Sequence, residues 1–551
     1  MPKLKALEQL AAWKERYPAP CQAACPVHTD VRSYVTLSGQ KEFGEAFRMV
    51  TRPNAMASVC GRACSAPCED VCTRGEFDRP VRIRQLKRFL TDRYEGRATP
   101  AVKRPPTGLK ISIVGAGPAG LAAARDLALA GHTVTIYEGA PEAGGMAILG
   151  VPRFRLSREA IVRDVKAIED LGVVIKTGVR VGTDVLLSRL REESDALFIA
   201  AGAMRPNVPN LENMHLKGVV QALPFLEEAN LGGRPPCGKR VAVLGGGYTA
   251  MDAARTAVRL GAQEVTVLYR RTRSETEVHD EELLETVHEG VSIEYLVSPN
   301  RLVEGRNGRV TGVELVRNRL GEPDASGRPR PVPIEGSEFV FEADMVVMAI
   351  GQAPDPEDVD AVLAQAISRV QGDDLMTEVP GVFAGGDFIT GPSTIIEAVA
   401  HGRAAAAAIH RYLGQIHAPG TPWPSIDDME VDIIEQSTAS AVSSPALALD
   451  VEVEQTLSES EAALEGLRCL FCGLLPVITA EKCTACQDCA LVCPVECISR
   501  VAIRPDGTTG PVEGIQDVVV YDIDSDACIR CGRCFKVCPT GAIVVDGFEW
   551  E

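Results

Sequence analysis

The sequence lacks the features of exported, membrane-spanning and nucleic-acid-binding proteins. Among its 551 residues no apolar run approaches the ~20 residues that a membrane-spanning helix needs. The first 16 residues are charged and contain no apolar signal core, so we do not expect export. The net charge of −18 comes without a basic patch, which argues against nucleic acid as a partner. These absences predict a cytoplasmic protein, and the length predicts several domains.

Cysteine is nearly absent from the middle of the chain. Residues 73–468 hold only Cys237, while the other 17 of the 18 cysteines form groups near the two ends. Disulfide frameworks belong mostly to small secreted chains. Clustered thiols in a long chain without a signal peptide instead indicate metal or iron–sulfur sites in a reducing compartment. The eight histidines show no ligand spacing.

A glycine-rich turn between two short apolar strands dominates the first half of the chain. Strand, G-x-G-x-x-G turn, helix, second strand and terminal acid follow one another, which is the dinucleotide-binding fingerprint. Gly115 allows the tight turn, Gly117 lets a pyrophosphate approach the backbone, and Gly120 lets helix and strand pack closely. The helix N-terminus would meet the phosphates, and Glu138 would accept hydrogen bonds from ribose hydroxyls.

A second fingerprint follows about one domain later. Gly245, Gly247 and Ala250 form a G-x-G-x-x-A turn after another apolar strand. No acid ends the next strand, where Arg270 and Arg271 stand instead. A carboxylate would repel a 2′-phosphate, whereas guanidinium groups bind it. The turn therefore predicts NADP(H) in preference to NAD(H), and the alternative is that both arginines are solvated charges at a strand end.

Two complete ferredoxin runs stand near the C-terminal end. Each reads C-x2-C-x2-C-x3-C-P, and in two-cluster ferredoxins the fourth cysteine of each run ligates the other cluster. The predicted ligand sets of two [4Fe–4S] clusters are Cys483, Cys486, Cys489 and Cys538 for one, and Cys528, Cys531, Cys534 and Cys493 for the other. The pair Cys469-x2-Cys472 is a half-motif that could join a further site, bind nothing or contact another domain. Cys497 is interpreted as a small core residue.

Six cysteines also lie in a short helical region at the other end of the chain. They are Cys21, Cys25, Cys60, Cys64, Cys68 and Cys72. Six thiolates in one small domain can hold a [4Fe–4S] cluster, because each iron takes one soft ligand. Zinc is the alternative, although its cysteines are more often spaced by two or four residues.

Two stretches of sequence carry a resemblance to a known family. One is the N-terminal pattern that contains Cys25-Pro26, Cys60-Gly61-Arg62-Ala63-Cys64 and Pro67-Cys68-Glu69, and the other is the second glycine turn with residues 269–271. Both resemble the glutamate synthase small (β) subunit family, whose N-terminal domain also occurs in dihydropyrimidine dehydrogenase. The resemblance implies a protein that moves electrons between NADPH, FAD and [4Fe–4S] clusters.

The resemblance also implies ligands for the N-terminal clusters. One cluster would be shared by Cys25, Cys64 and Cys68. Its fourth ligand stays open, and Lys87 stands near the position that a Gln or Glu fills in relatives. The family's C-x2-C pair ahead of Cys21 is missing, because residues 10–20 contain no cysteine. Cys21 and Cys72 would then be left over from a second cluster, or would complete a rearranged site with Cys60. At least one N-terminal cluster is expected.

By the same resemblance the first fingerprint binds FAD. A glycine pair that ends at Gly145 would let the backbone pass close to the flavin, and Arg153 lies in the segment that follows. A later strand ends at Gly386-Asp387, and an aspartate there bonds the ribityl chain in related flavin reductases. Thr394 precedes a helix whose positive N-terminus would stabilise reduced flavin.

These assignments predict a multidomain α/β protein with an α+β ferredoxin-like domain at its end. Two Rossmann-like domains are expected, with the NADPH domain inserted into a split FAD domain. The predicted ranges are 1–105 for a helical iron–sulfur domain, 106–235 and 346–415 for the FAD domain, 236–345 for the NAD(P)H domain, 416–465 for a linker and 466–551 for the ferredoxin-like domain.

The predicted function is an oxidoreductase that passes electrons between NAD(P)H and iron–sulfur clusters through FAD. No catalytic side chain is expected, because the cofactors carry the chemistry. A soluble ferredoxin or a larger catalytic subunit would be the partner, in a hetero-oligomer. Two alternatives stay open: a self-contained NADPH-dependent reductase of a small molecule, and a non-catalytic scaffold that carries clusters.

Overall fold

The chain folds into two compact units. The computed structural model describes residues 18–93, 103–324, 327–355, 370, 374–417, 448–470, 472–473, 476–503, 509–512, 518–525, 527–528 and 530–545. The first unit takes its residues from Met1–Pro53, Ala66–Leu90 and Thr456–Glu551, and the second from Asn54–Ser65 and Thr91–Gln455. Most of the predicted linker lies outside the described residues.

The described α-helices are numbered in chain order. They are α1 Pro20–Ala23, α2 Val31–Gly39, α3 Phe43–Thr51, α4 Ala57–Ala63, α5 Pro67–Asp70, α6 Ile83–Arg93, α7 Pro118–Leu129, α8 Met146–Leu149, α9 Arg158–Glu169, α10 Leu187–Glu193, α11 Ala222–Asn230, α12 Tyr248–Leu260, α13 Asp280–His288, α14 Asp387–Thr390, α15 Ile395–His417, α16 Glu459–Gly466, α17 Asp488–Leu491 and α18 Arg533–Val537. Across the described residues, no helix combines the length and the apolar character needed to cross a membrane.

The described strands are numbered in the same way. They are β1 Lys110–Val114, β2 Thr133–Glu138, β3 Val174–Thr177, β4 Ala196–Ile199, β5 Arg205–Pro206, β6 Val219–Gln221, β7 Arg240–Leu244, β8 Glu264–Tyr269, β9 Val291–Tyr295, β10 Val297–Glu304, β11 Val310–Pro323, β12 Pro329–Pro333, β13 Phe339–Glu342, β14 Met345–Met348, β15 Gln352–Ala353, β16 Val382–Ala384, β17 Pro476–Ile478, β18 Ile498–Ile503, β19 Thr509–Gly510, β20 Val518–Ile523 and β21 Ile543–Val545.

The first unit combines N-terminal helices with a small α+β fold. Asp30 caps α2 by accepting a hydrogen bond from the Ser33 N–H at 3.2 Å, which satisfies a donor that the helix itself leaves open. In the ferredoxin-like part, β17 pairs antiparallel with β21, and β18 pairs antiparallel with β20. Each pair lies beside a short helix that carries the third cysteine of a run, Cys489 in α17 and Cys534 in α18.

The second unit contains two five-stranded parallel sheets, and each carries one glycine-rich turn. The strand order is β16-β4-β1-β2-β3 in the first sheet and β6-β14-β7-β8-β9 in the second. The central strands β1 and β7 are short apolar runs that are buried after their first residue, as expected where helices cover both faces of a sheet. An antiparallel sheet of β10 to β13 follows the second, as the alternating sequence there predicts.

The second sheet extends beyond the range 236–345 that the sequence predicts for its domain. β6 lies before this range, and β14 begins at its last residue, yet both pair within the second sheet. The fingerprint that set the predicted boundary is local, whereas these pairings join strands more than 100 residues apart in the chain. The split arrangement itself is present, because β16 returns to the first sheet beside β4.

A chain of buried ion pairs joins the segment after the first glycine turn to helices of the second nucleotide fold. The Arg155 guanidinium donates to Asp252 at 2.7 Å and lies 3.1 Å from Glu282. Glu282 also accepts a hydrogen bond from Arg255, which is bidentate to Glu289 at 2.9 and 2.6 Å. Removing one member would leave a buried charge unpaired, at a cost of about 3–5 kcal/mol. The network therefore fixes the orientation of the two nucleotide-binding parts of this unit.

A buried histidine pair stabilises the first sheet in a pH-dependent way. His132 Nε2 lies 2.9 Å from His410 Nδ1, and Thr107 Oγ1 lies 2.8 Å from His132 Nδ1. Burial, and secondly the neighbouring His410, lowers the pKa of His132 to about 4. Since an unfolded histidine binds its proton near pH ~6.5, the unfolded chain takes up a proton that the folded chain does not. Stability is therefore lost as the pH falls from about 6.5 towards 4.

We expect replacement of this histidine to flatten the pH dependence of unfolding. When the pH falls from ~7.5 to ~5.5, the free energy of unfolding of the wild-type protein should decrease by about 1 kcal/mol more than that of His132→Asn. This difference corresponds to about 2–4 °C in melting temperature. Melting of each protein at both pH values measures the difference. His215→Asn, at an exposed position, is the matched control. Equal pH dependence in His132→Asn and the wild type would contradict the prediction.

Candidate cofactor sites

A long cleft in the second unit runs from the first glycine turn to the start of α15. Gly117, Glu138 and Gly145 line one part of it, and Asp387 and Thr394 line another. The fingerprint residues and the returning strand, about 250 residues apart in the chain, thus meet in one site. A cleft of this kind can hold a dinucleotide with its phosphates at the turn and its second ring system beyond.

The first glycine turn has the shape that a pyrophosphate requires. Gly115 has φ +100°, and a Cβ there would collide with the Ala200 carbonyl oxygen. A Cβ at Gly120 would collide with the Gly115 carbonyl oxygen, so this glycine permits the close approach of helix and strand. Gly117 is different, because a Cβ there would meet only Gly145 Cα, at 3.8 Å. The fold itself leaves space at Gly117, and that space fits a phosphate group.

The acid at the end of β2 is oriented by the backbone. Glu138 Oε2 accepts a hydrogen bond from the Ala116 N–H at 2.7 Å, and Oε1 accepts one from the Ala140 N–H at 2.7 Å. Both oxygens keep further lone pairs, so the carboxylate can also accept hydroxyl donors. Glu138 lines the cleft, and its role in binding ribose stays a prediction.

The other end of the cleft is built from a capped helix and a half-buried acid, Asp387. Asp387 accepts hydrogen bonds from the Ser393 hydroxyl at 2.8 Å and the Ser393 N–H at 3.3 Å, and burial raises the pKa of Asp387. Thr394 and Glu397 form reciprocal hydrogen bonds at the start of α15. A helix N-terminus is positive, which favours a group that gains negative charge on reduction.

Arg153, which lies in the segment that the resemblance places after the flavin glycines and which we predict from it to bind the cofactor, is not among the residues that line this cleft. Its Nε donates to the Asn230 carbonyl oxygen at 2.8 Å, which ties the segment after α8 to the end of α11. Two charged residues that sequence reasoning missed, Arg180 and Glu227, do line the cleft. Arg180 follows strand β3, and Glu227 lies in α11. No sequence pattern marks either residue as part of a site.

The second glycine turn resembles the first in its open centre. Gly245 closes against β14, where a Cβ would collide with the Ala349 carbonyl oxygen. Gly247 has no atom within 4 Å of the position its Cβ would take. Ala250 is fully buried in α12. The turn therefore offers a second phosphate cradle, with the N-terminus of α12 behind it.

The two predicted 2′-phosphate ligands have different surroundings. The Arg270 side chain is exposed as a whole. Partial desolvation of its guanidinium, followed by the charges of Arg271 and Arg328, lowers its pKa, as expected in a cationic group of side chains. Arg271 is 2% exposed, and its guanidinium donates to Asp324 at 2.5 Å and to the Pro329 carbonyl oxygen at 2.8 Å. Arg270 is thus the better placed to meet a 2′-phosphate, while Arg271 supports the strand end.

We expect Arg270→Ala to raise the KM for NADPH about 10–100-fold, because one charge-assisted contact is worth about 1.5–3 kcal/mol. The KM for NADH should change within about twofold, since NADH has no 2′-phosphate. Steady-state kinetics with both nucleotides measures the split. Arg271→Ala is the matched control, which should lower the melting temperature because Asp324 loses its partner. An equal rise in both KM values for Arg270→Ala would contradict the assignment.

The ferredoxin cysteines surround two cavities in the first unit. Cys483, Cys486, Cys489 and Cys538 line one of about 290 Å³. Cys493, Cys528, Cys531 and Cys534 line the other, of about 310 Å³. Each cavity thus receives three thiols from one run and the fourth from the other run, as crossed ligation requires. Four thiols around one cavity fit a [4Fe–4S] cluster, which takes one thiolate for each iron.

The backbone repeats itself around these two cavities. Residues with positive φ recur at equivalent places of the two runs, at Gln487 (66°) and Gly532 (76°). Such turns direct backbone N–H groups into a concavity that suits an anionic cluster. The Cys497 N–H donates to Cys493 Sγ at 3.3 Å. Cys497 is 7% exposed within the core, which agrees with its interpretation as a small core residue.

The N-terminal cysteines are divided between the two units. Cys25 and Cys68 are buried in the first, and burial, followed by the neighbouring Cys68 and Cys25, raises the pKa of Tyr34. Cys60 and Cys64 belong to the second unit. The ligand set predicted from the resemblance draws on both units and stays a prediction.

The chain matches three family models. Residues 109–402 match the pyridine nucleotide-disulphide oxidoreductase model. Residues 14–98 match the dihydropyrimidine dehydrogenase domain II, 4Fe-4S cluster model. Residues 478–542 match the 4Fe-4S dicluster domain model.

Curated relatives and solved structures extend this result. The NADP(+)-dependent formate dehydrogenase subunit beta of Moorella thermoacetica is 42% identical over 74% of this chain, and the match spans 61% of that relative. The glutamate synthase [NADPH] small chain of Escherichia coli (strain K12) is 36% identical over 71% of this chain and 88% of its own length. Mycobacterium tuberculosis FprA in complex with NADPH shares the fold, with a TM-score of 0.50 and 21% identity over 59% of this chain and 88% of that one.

Proposed function

This chain belongs to the pyridine nucleotide-disulphide oxidoreductase family, and on that premise we propose that it passes electrons between NADPH and iron–sulfur clusters by way of FAD. The observation that carries the proposal is the long cleft in the second unit. It joins the first glycine turn to Asp387 and to the start of α15. A second glycine turn in the same unit has open space at Gly247, where the pyrophosphate of NADPH would bind.

The residues of the cleft have separate tasks. Gly117 would admit the FAD pyrophosphate, and Glu138 would accept bonds from the ribose hydroxyls. Asp387, held by Ser393, would accept from the ribityl hydroxyls. The N-terminus of α15 would offset negative charge on the reduced ring. When bound, flavin supplies the exchange between a two-electron nicotinamide and one-electron clusters.

The second unit also holds the nicotinamide nucleotide. Gly247 leaves room for its pyrophosphate, and Arg270 would meet the 2′-phosphate. The ion pairs of Arg155 with Asp252 and Glu282 keep the two nucleotide-binding parts in register. No side chain of this chain is required as a nucleophile or general base, because hydride and electrons move between cofactors.

The terminal partner lies on another chain in this proposal. The relatives named above are a formate dehydrogenase beta subunit and a glutamate synthase small chain, which are subunits that serve different chemistries. The family matches of this chain cover flavin, nicotinamide and cluster domains. A soluble ferredoxin or a larger catalytic subunit is therefore the proposed acceptor or donor.

The test is anaerobic turnover of the purified protein with a soluble ferredoxin that carries a single cluster. We expect NADPH to be oxidised and ferredoxin reduced in a ratio of about one to two, because NADPH carries two electrons and each ferredoxin cluster takes one. NADH should support the reaction with a higher KM. Protein that contains FAD and clusters but transfers no electrons from NADPH would contradict the proposal. In a separate experiment, copurification from cells of the source organism would identify the partner chain.

A further inference from the structure

A further group of thiols meets in the first unit, away from the two ferredoxin cavities. Cys21, Cys72, Cys469 and Cys472 line one cavity of about 390 Å³. The pair Cys469-x2-Cys472 is the half-motif that neither ferredoxin run uses. Cys21 and Cys72 are the thiols that the N-terminal pattern leaves over. Two incomplete patterns, separated by nearly 400 residues of sequence, therefore complete one another in space.

The two ferredoxin cavities of the same chain provide a measure of what this one can hold. Their empty space, which is partly open to solvent, is about 290 and 310 Å³, and each is lined by four run cysteines. A zinc ion would draw sulfurs to within about 2.3 Å of one centre. Thiols spread around a larger cavity instead suit a cubane, in which each thiolate has its own iron.

The backbone after the second cysteine of the pair gives independent support. Gly473, which follows Cys472, has φ +84°. Gln487 and Gly532 follow the second cysteines of the ferredoxin runs and have φ +66° and +76°. Positive φ is uncommon outside glycine, so its recurrence at Gln487 marks a requirement of the turn. A left-handed residue thus follows the second cysteine of a C-x2-C pair at all three cavities.

We propose that Cys21, Cys72, Cys469 and Cys472 ligate a [4Fe–4S] cluster whose ligands come from both ends of the chain. The C-terminal pair supplies the two thiols that the sequence lacks ahead of Cys21. Arg32 lines the same cavity and brings positive charge to an anionic cluster. Its Nη1 also donates to the Cys472 carbonyl oxygen at 2.8 Å, which holds the second cysteine of the pair in place.

A buried glutamate anchors the segment that carries the pair. Glu465 is 2% exposed and lies four residues before Cys469. It accepts hydrogen bonds from the Arg82 N–H at 3.0 Å, from the Arg82 side chain at 3.1 Å and from Arg79 at 3.0 Å. These arginines follow Cys72 in the sequence. The carboxylate therefore joins the segment of Cys469 to the segment of Cys72.

Close packing of two glycines completes the attachment. A Cβ at Gly466 would collide with the Gly39 N atom at the end of α2. Only glycine allows α16 to approach α2 so closely. The Thr73 hydroxyl lies 3.5 Å from Cys472 Sγ, directly after Cys72. The pair is thus held by a built interface within the first unit.

The proposed cluster would lie beside the ferredoxin clusters. Cys472 Sγ is 3.1 Å from the carbonyl oxygen of Cys531, which lines the second ferredoxin cavity. A Cβ at Gly532 would collide with the Leu470 carbonyl oxygen, so the two cysteine loops are in direct contact. The cluster would therefore extend the pair of ferredoxin clusters towards the N-terminal helices as a third member of one electron path.

The test compares iron and acid-labile sulfide in full-length protein purified anaerobically. Three variants are needed: Cys469→Ser/Cys472→Ser, Cys21→Ser/Cys72→Ser, and the quadruple variant that combines them. Each double variant should lose about four irons and four sulfides per chain, because one cubane is lost. The quadruple variant should lose no more than either double variant, since all four thiols serve one cluster. Cys237→Ser should keep the wild-type content, because Cys237 lines none of the four cavities described above.

Other results would overturn the proposal. Unchanged iron in Cys469→Ser/Cys472→Ser would show that the pair binds nothing. Losses that add up to about eight irons in the quadruple variant would place the two pairs at different clusters. The iron of the two ferredoxin clusters, whose cysteines lie in the same first unit, reports whether that unit has folded in each variant, and FAD content reports the second unit. If a double variant fails either measure, Cys469→Asp replaces it: an oxygen ligand should keep the iron but change the EPR spectrum of the reduced protein, and a spectrum identical to that of the wild type would contradict the assignment.

Discussion

Gly117→Val is expected to yield folded protein without FAD. A Cβ at this position meets only Gly145 Cα, at 3.8 Å, so we expect the fold to tolerate a side chain there. The same side chain occupies the place where the pyrophosphate must reach the backbone. Loss of two charge-assisted hydrogen bonds costs about 3–6 kcal/mol, which is at least about a 100-fold loss of FAD affinity. NADPH-dependent electron transfer should fall with the FAD content, which absorbance and activity measure together.

Gly247→Val is the matched control for this variant. It introduces the same side chain at the equivalent position of the second turn, where no atom lies within 4 Å of the position of the new Cβ. We expect it to retain FAD and to raise the KM for NADPH at least about 100-fold by the same physical argument. FAD retained in Gly117→Val would contradict the assignment of FAD to the first turn. FAD lost in Gly247→Val would indicate that the second turn binds FAD instead.

The second large effect is expected for Cys538→Ala. This residue lines the cavity of Cys483, Cys486 and Cys489, although it belongs to the other run. Its loss should remove about four irons per chain, because three thiolates leave one iron of the cubane without a ligand. Electron transfer from NADPH to ferredoxin should fall at least tenfold if the path uses this cluster, while reduction of FAD by NADPH stays unchanged. Iron analysis and rapid-mixing absorbance measure the two effects separately.

Cys497→Ala is the matched control in the same domain. Cys497 is 7% exposed and lies against Cys493, but it belongs to neither predicted ligand set. The variant should keep its iron and its rate of electron transfer. Iron loss in Cys497→Ala together with full iron in Cys538→Ala would show that the crossed ligand set is wrong.

The family resemblance and the fold class predicted from the sequence are confirmed by the family matches and the relatives. Both rest on local signals. The turn at Gly115 needs a positive φ and close packing, so its spacing is visible in a few residues. The C-x2-C-x2-C-x3-C-P runs are equally local. Because the chain contains two of them, they also predict that the fourth cysteine of each run lies at the cluster of the other run.

Features that depend on distant parts of the chain were not predictable in the same way. Arg271 looks like a phosphate ligand in the sequence, but Asp324, 53 residues away, occupies its guanidinium. Strands β6 and β14 join the second sheet through pairings that no local pattern shows. Cys469 and Cys472 had no assigned partner because Cys21 and Cys72 lie nearly 400 residues earlier and meet them only in the folded first unit.

One measurement tests the central claim most directly, which is that electrons pass from NADPH through FAD to the clusters of this chain. The protein, purified anaerobically, is titrated with NADPH while flavin absorbance and the EPR of reduced clusters are followed. The account predicts that flavin bleaches and that cluster signals grow in the same titration, with NADPH effective at lower concentration than NADH. Bleached flavin with cluster signals that never respond to NADPH would contradict it.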